Sequence, residues 1–184
     1  MDIQGFHHVA YRCANAKQTI EFYQQVLGMD FQLAMAEDKV PSTGESDPYM
    51  HIFLDAGNGN VLAFFELPQS PDMGSDLNTP KWVQHIAFKV PDMDALVAAK
   101  ERIEGLGIEV LGPIDHTLFK SIYFFDPSGH RLELATNTAQ PGMLEELHRV
   151  APAMLEEWDK TKRAPQHAAW LHDKTKSFNK DTLS

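Results

Sequence analysis

The sequence predicts an α+β fold: two paired βαβββ modules forming a curved mixed sheet around a cavity, with a C-terminal helical extension. Three observations carry this. A strand-like His-x-Ala segment occurs twice, in Phe6-His7-His8-Val9-Ala10-Tyr11 and in Val83-Gln84-His85-Ile86-Ala87-Phe88. Each is followed by a helical pattern that ends on Leu-Gly, at Leu27-Gly28 and Leu106-Gly107. Each copy then closes with extended stretches joined at glycine turns, Gly57/Gly59 in the first and Asp126-Pro127-Ser128-Gly129 in the second. The same elements in the same order, at nearly constant offset, mark an internal duplication.

The elements follow in chain order. Ala16 to Leu27 places Ile20, Tyr23, Val26 and Leu27 on one helical face, and Asp94 to Leu106 does the same with Leu96, Ala99, Ile103 and Leu106. Asp92 or Asp94 suits the second N-cap, and the glycines suit left-handed C-caps. Extended sequence follows at Met29–Met35 and Ile108–Leu111, then strands at Met50–Leu54 and Ser121–Phe125, then final strands at Val61–Leu67 and Arg131–Ala135. The first copy is longer because Ala36–Tyr49, rich in Asp, Ser, Pro and Gly, reads as a loop. The modules are expected at about 5–67 and 81–137, within a domain over 1–138. The extension, 139–184, carries an amphipathic helix interrupted or restarted at Pro152, a polar tail anchored by Trp170 and Leu171, and exposed histidines 148, 167 and 172.

Composition narrows the function. Twenty-six acidic residues against sixteen basic give the 184-residue chain a net charge of −10. That excludes phosphate-driven nucleic-acid binding and disfavours anionic membranes. A single cysteine, Cys13, forms no internal disulfide. No basic or apolar leader pattern opens the chain, and no apolar run reaches the roughly 20 residues of a membrane span. The expectation is a cytoplasmic protein.

Strand alternation sorts the candidate ligands. His8 and Ala10 share a face, as do His85 and Ala87, and as do Glu133 and Ala135. Small neighbours leave room above the sheet, and a His–His–carboxylate set suits a metal with open coordination positions. His7 is the rival of His8 and is rejected on register. In the second module His116 precedes Tyr123, which leads through Asp126-Pro127-Ser128-Gly129 to Glu133.

These features resemble the vicinal oxygen chelate superfamily of glyoxalases, epimerases, fosfomycin- and bleomycin-resistance proteins and dioxygenases. The stretch His116 to Glu133 is similar to the signature of type I extradiol ring-cleavage dioxygenases. The resemblance implies Fe(II), or alternatively Mn, Zn or Ni, on His8, His85 and Glu133. It implies a catechol-type aromatic and O₂ as substrates, with Tyr123 and His116 acting on the aromatic. The family's acid–base histidine at the start of the first module's last strand is replaced by Asn60, read as a substrate-binding residue. His51 on the preceding strand is the candidate substitute. Glu66 is a candidate fourth ligand, as in glyoxalase- or epimerase-like lyases and isomerases, although counting from the turn lands on Ala63. A non-catalytic binder of aromatic ligands is the reading from another class. Module pairing in this superfamily often crosses subunits, so a homodimer is expected.

Overall fold

A computed structural model describes residues 1–74, 76–165, 167–172 and 178, without the side chain of His172. The polar tail after Leu171 therefore lies largely outside the described residues, as does the His172 side chain. The first module runs β1 (Val9–Cys13), α1 (Ala16–Leu27), β2 (Phe31–Lys39), β3 (Ser46–Asp55) and β4 (Val61–Glu66). The second runs β5 (Ile86–Lys89), α2 (Met93–Gly105), β6 (Leu111–Asp115), β7 (Phe119–Phe125) and β8 (Arg131–Asn137). The helices α3 (Met143–Thr161) and α4 (Ala169–His172) follow. Each module forms its own four-stranded sheet, in the orders β1-β4-β3-β2 and β5-β8-β7-β6. In each, the first strand lies parallel to the last and the other pairs are antiparallel.

Local chemistry explains the boundaries. Asn15 caps α1 through a bond from Gln18 N, and Asp92 caps α2 through a bond from Ala95 N. Gly28 ends α1 at φ 68°, a conformation that favours glycine. Three differences from the expected elements appear, the first two with clear physical causes. β1 and β5 begin at Val9 and Ile86, so His8 and His85 stand just ahead of them. At that level the partner strands β4 and β8 are only starting, which ends the ladders. The stretch expected as loop 36–49 is mostly hairpin, since Glu37 pairs with Tyr49 and Lys39 with Ser46 across a register shift. Pairing with an existing strand outweighs the low strand propensity of Asp, Ser and Pro. Finally, α3 continues through Pro152.

The helices cover one face of each sheet, and the core there is shared by both modules. It includes Tyr23, Val26, Ile52, Leu54 and Phe64 from the first, with Leu96, Ile103, Ile122, Phe124 and Leu132 from the second. Polar bonds lock the modules together where β1 ends against the β7–β8 turn. Ala14 N donates to Ser128 Oγ at 3.1 Å, His130 Nε2 donates to Arg12 O at 2.7 Å, and Tyr23 Oη donates to Asp126 Oδ2 at 3.2 Å. Asp126 is 5% exposed, and burial raises its carboxyl above the usual carboxylate range. The opposite faces of the sheets carry the candidate site. Their margins are apolar and open: Leu33, Met35, Leu111 and Ile114 are all exposed. Leu144, Leu155 and Trp158 on α3 are exposed too. No helix among the described residues is long and apolar enough to cross a membrane.

Candidate metal centre

The second module assembles most of the expected constellation. Ala87 pairs with Glu133 between β5 and β8, and Tyr123 pairs with Glu133 between β7 and β8. The pleat thus sends Glu133, Tyr123, Ser121 and His85 to the same open face. His85 Nε2 lies 2.9 Å from Glu133 Oε2. Ser121 Oγ donates a short hydrogen bond to Glu133 Oε1. His85 Nδ1 donates to Val83 O at 2.9 Å, so the proton on that nitrogen is fixed and Nε2 is the atom turned to the carboxylate. A bare Nε2 lone pair facing a carboxylate is repulsive unless a proton or a cation is shared between them. Glu133 is only 2% exposed, so solvent does not relieve it. These two donors, each oriented by an outer hydrogen bond, fit a divalent cation.

Tyr123 Oη and His116 Nε2 share a hydrogen bond of 2.8 Å. Burial, then the Glu133 charge, raises the Tyr123 phenol above its ordinary value, against lowering by Ser121 and Arg131. The phenol therefore keeps its proton at neutral pH and is available as a donor on this face.

The first module presents a different face. His8 has ring neighbours His7, His51 and Phe53 at 5.1, 6.0 and 5.7 Å. His7 Nδ1 and His8 Nδ1 share a 2.8 Å bond. His51 is 6% exposed, stacked on Phe65 at 3.6 Å, and its buried Nε2 has no hydrogen-bond partner among the described residues. Burial and the nearby His8 hold it below the usual imidazole range. The register is the same as in the second module: Ala10 pairs with Ala63 as Ala87 pairs with Glu133. Phe53 pairs with Ala63 as Tyr123 pairs with Glu133. Alanine and phenylalanine thus occupy the positions of the second module's carboxylate and phenol.

Two further candidates are engaged elsewhere. Glu66 Oε2 accepts from Ala16 N at 2.6 Å, at the start of α1. It pairs with Met50 in an unbroken β3–β4 ladder, so no bulge turns it to the open face. Asn60 Nδ2 donates to Gly57 O at 2.9 Å and closes the β3–β4 turn.

Within one chain His8 does not join His85 and Glu133. The end of β1, at Arg12, abuts the turn leading into β8, and His8 lies four residues upstream, roughly 13 Å along an extended strand. Among the described residues no three His, Cys, Asp or Glu side chains converge on a metal-sized point. What sequence reasoning missed was the outer shell. Ser121 was legible as sharing the Tyr123 face, but its bond to Glu133 needed the ladder. The Val83 carbonyl carries no side-chain signal.

Residues 5–134 match the profile of the Glyoxalase/Bleomycin resistance protein/Dioxygenase superfamily. The chain belongs to that superfamily. Relatives within it are diverse. The ring-cleaving dioxygenase homologue MhqA of Bacillus subtilis is 29% identical over 146 residues, 77% of this chain and 43% of MhqA. The chain thus spans less than half of that relative's length. Lactoylglutathione lyase of Pseudomonas aeruginosa is 29% identical over 147 residues, 70% of this chain and 80% of the lyase. Metallothiol transferase FosB of Staphylococcus epidermidis is 30% identical over 143 residues, 75% of this chain and 87% of FosB. Among solved structures, a glyoxalase family protein from Enterococcus faecalis matches with TM-score 0.54 and 28% identity, covering 73% of this chain and 99% of that one. The FosX fosfomycin resistance protein from Listeria monocytogenes, solved with Mn(II) and sulfate, matches in fold at TM-score 0.52 and 20% identity, covering 74% and 95%.

Proposed function

We propose that the protein is an Fe(II)-dependent extradiol dioxygenase that opens a catechol-type aromatic ring with O₂. The observation that carries this reading is the Tyr123–His116 hydrogen bond at 2.8 Å, on the strand face that bears Glu133. A phenol donor beside a metal-ligand carboxylate is what an aromatic diol needs for orientation, and neither a glyoxalase nor an epimerase reaction calls for that pair. MhqA, named for ring cleavage, supports the same choice of reaction.

His85 and Glu133 hold the metal from one chain, and the third ligand is the partner subunit's His8, brought by a homodimer in which the open face of one module covers the open face of the other chain's second module. The exposed apolar margins of these faces support such a pairing. A ferrous ion held by these residues would supply Lewis-acid and redox chemistry toward the catechol and O₂. The chain's residues do the rest. His51, on the strand face near His8, is the residue of the first module proposed to take up a proton from a catechol hydroxyl. Tyr123 turns its O–H from His116 toward the deprotonated substrate oxygen, and His116 holds the ring edge at the mouth. Much of the barrier is removed by positioning the reactants.

The lyase or isomerase reading draws support from the Pseudomonas relative. It fits less well, because its fourth ligand would fall at Ala63 and Glu66 is spent on α1. A binder without turnover leaves the Tyr123–His116 pair without a task. Metal analysis combined with an oxygen-uptake screen over catechols tests the proposal. Ferrous-dependent uptake supports it, and isomerisation of a hemithioacetal without oxygen replaces it with the lyase reading.

A further inference from the structure

The open face of the second sheet carries a guanidinium that the reaction above leaves unused. Arg131 lies two residues before Glu133 on β8, so both side chains share a face. Its Cζ stands 3.8 Å from the centroid of the Tyr123 ring. Its Nη1 donates to Trp82 O at 2.7 Å, while the next carbonyl, Val83 O, accepts from His85 Nδ1 at 2.9 Å. Two successive carbonyls of one segment therefore aim both the cation and the histidine.

This anchoring orients Arg131 without neutralising it. Among the described residues Arg131 forms no ion pair, and the carboxylate nearest in register, Glu133, is taken by Ser121 and His85. A guanidinium has five N–H donors, and one suffices for Trp82. The remaining fork is left at the rim of the substrate face, in a chain whose net charge is −10. A planar fork matches a carboxylate through two parallel bonds, which a lysine cannot reproduce. Trp82, whose carbonyl holds the guanidinium, is itself 69% exposed.

We propose that Arg131 is a specificity-determining residue that recognises a carboxylate on the aromatic ligand. The substrate class is then an aromatic acid. That its ring also carries vicinal hydroxyls rests on the dioxygenase reading, but the recognition of the carboxylate does not.

The test uses benzoate and benzamide, a charged and a neutral ligand of nearly equal shape, titrated by NMR into the full chain without oxygen, with and without ferrous iron. Wild type should prefer benzoate. Arg131→Gln should reduce the benzoate-to-benzamide affinity ratio on the order of 10-fold to 100-fold, and Arg131→Lys should retain part of it. Melting temperatures confirm that the variants fold. A wild-type chain indifferent to the charge, or a ratio unchanged in Arg131→Gln, overturns the proposal. So does an equal fall in benzoate and benzamide affinity in Arg131→Gln, because Arg131 would then act only by holding the Tyr123 ring. Oxygen uptake separates the two readings. Normal uptake on catechols with no benzoate preference sinks this inference alone. A benzoate preference that depends on Arg131, without uptake on any catechol, sinks only the dioxygenase.

Discussion

Ser121 holds one oxygen of Glu133 while His85 Nε2 faces the other at 2.9 Å, so the carboxylate is oriented before any cation arrives. On the proposed metal site, that relationship would make Ser121 a determinant of metal affinity although it touches no metal. Ser121→Ala should weaken metal binding roughly 10-fold to 100-fold. His85→Ala and Glu133→Ala should abolish it, and His7→Ala should leave it intact. Metal content after dialysis against graded chelator reads all four. Loss of metal in the His7 variant equal to that of His85→Ala would show that the first strand's phase is misjudged.

The proposed subunit-crossing site makes a prediction about mixtures. His8→Ala and His85→Ala chains should each bind no metal alone. After mixing and subunit exchange, a heterodimer has one site lacking both histidines and one site with both. Metal stoichiometry should therefore recover toward half of the heterodimer's sites. If no metal returns although exchange is demonstrated by mass, the ligands do not come from different chains.

Glu66 separates structure from ligation. Its bond to Ala16 N satisfies an otherwise open amide at the start of α1. Glu66→Ala should cost about 1 kcal/mol of stability, seen as a lower melting temperature, with metal content unchanged. Metal loss without destabilisation would restore the four-ligand site and the lyase reading.

Asp126 gives the inter-module contact a pH dependence. Its folded-state carboxyl is raised above the unfolded value, mainly by burial, so the folded state holds the extra proton between those two values. Stability from this group is present below the unfolded carboxylate range and is lost as pH rises through the raised folded value. Asp126→Asn keeps an acceptor for the Ser128 and His130 amides and removes the buried charge. Melting temperature against pH should lose that downward slope in the variant. An identical slope in both proteins would assign it to other groups.

Much of this was legible in the sequence, for reasons tied to particular residues. The two-residue period put Tyr123 with Ser121 on one face of their strand, and the Asp-Pro-Ser-Gly turn suggested that Glu133 shares it, which the β7–β8 pairing of Tyr123 with Glu133 bears out. The same period set Glu66 on the other face, where the structure has it. The β2–β3 hairpin was not legible, because Asp38, Ser46 and Pro48 are weak strand formers that pairing overrides. Nor was the position of His8 relative to His85. Periodicity reports which face a residue takes within its module, whereas the meeting of modules depends on tertiary bonds such as His130 to Arg12.

The most direct test of the central claim is oxygen consumption by the ferrous-loaded protein over a panel of catechols, compared with Tyr123→Phe. The account predicts one O₂ consumed per catechol and a yellow ring-opened product. It predicts turnover lower by on the order of 10²-fold in Tyr123→Phe, with iron still bound. Uptake that is absent with every catechol, or that is unaffected by removing the Tyr123 hydroxyl, would contradict it.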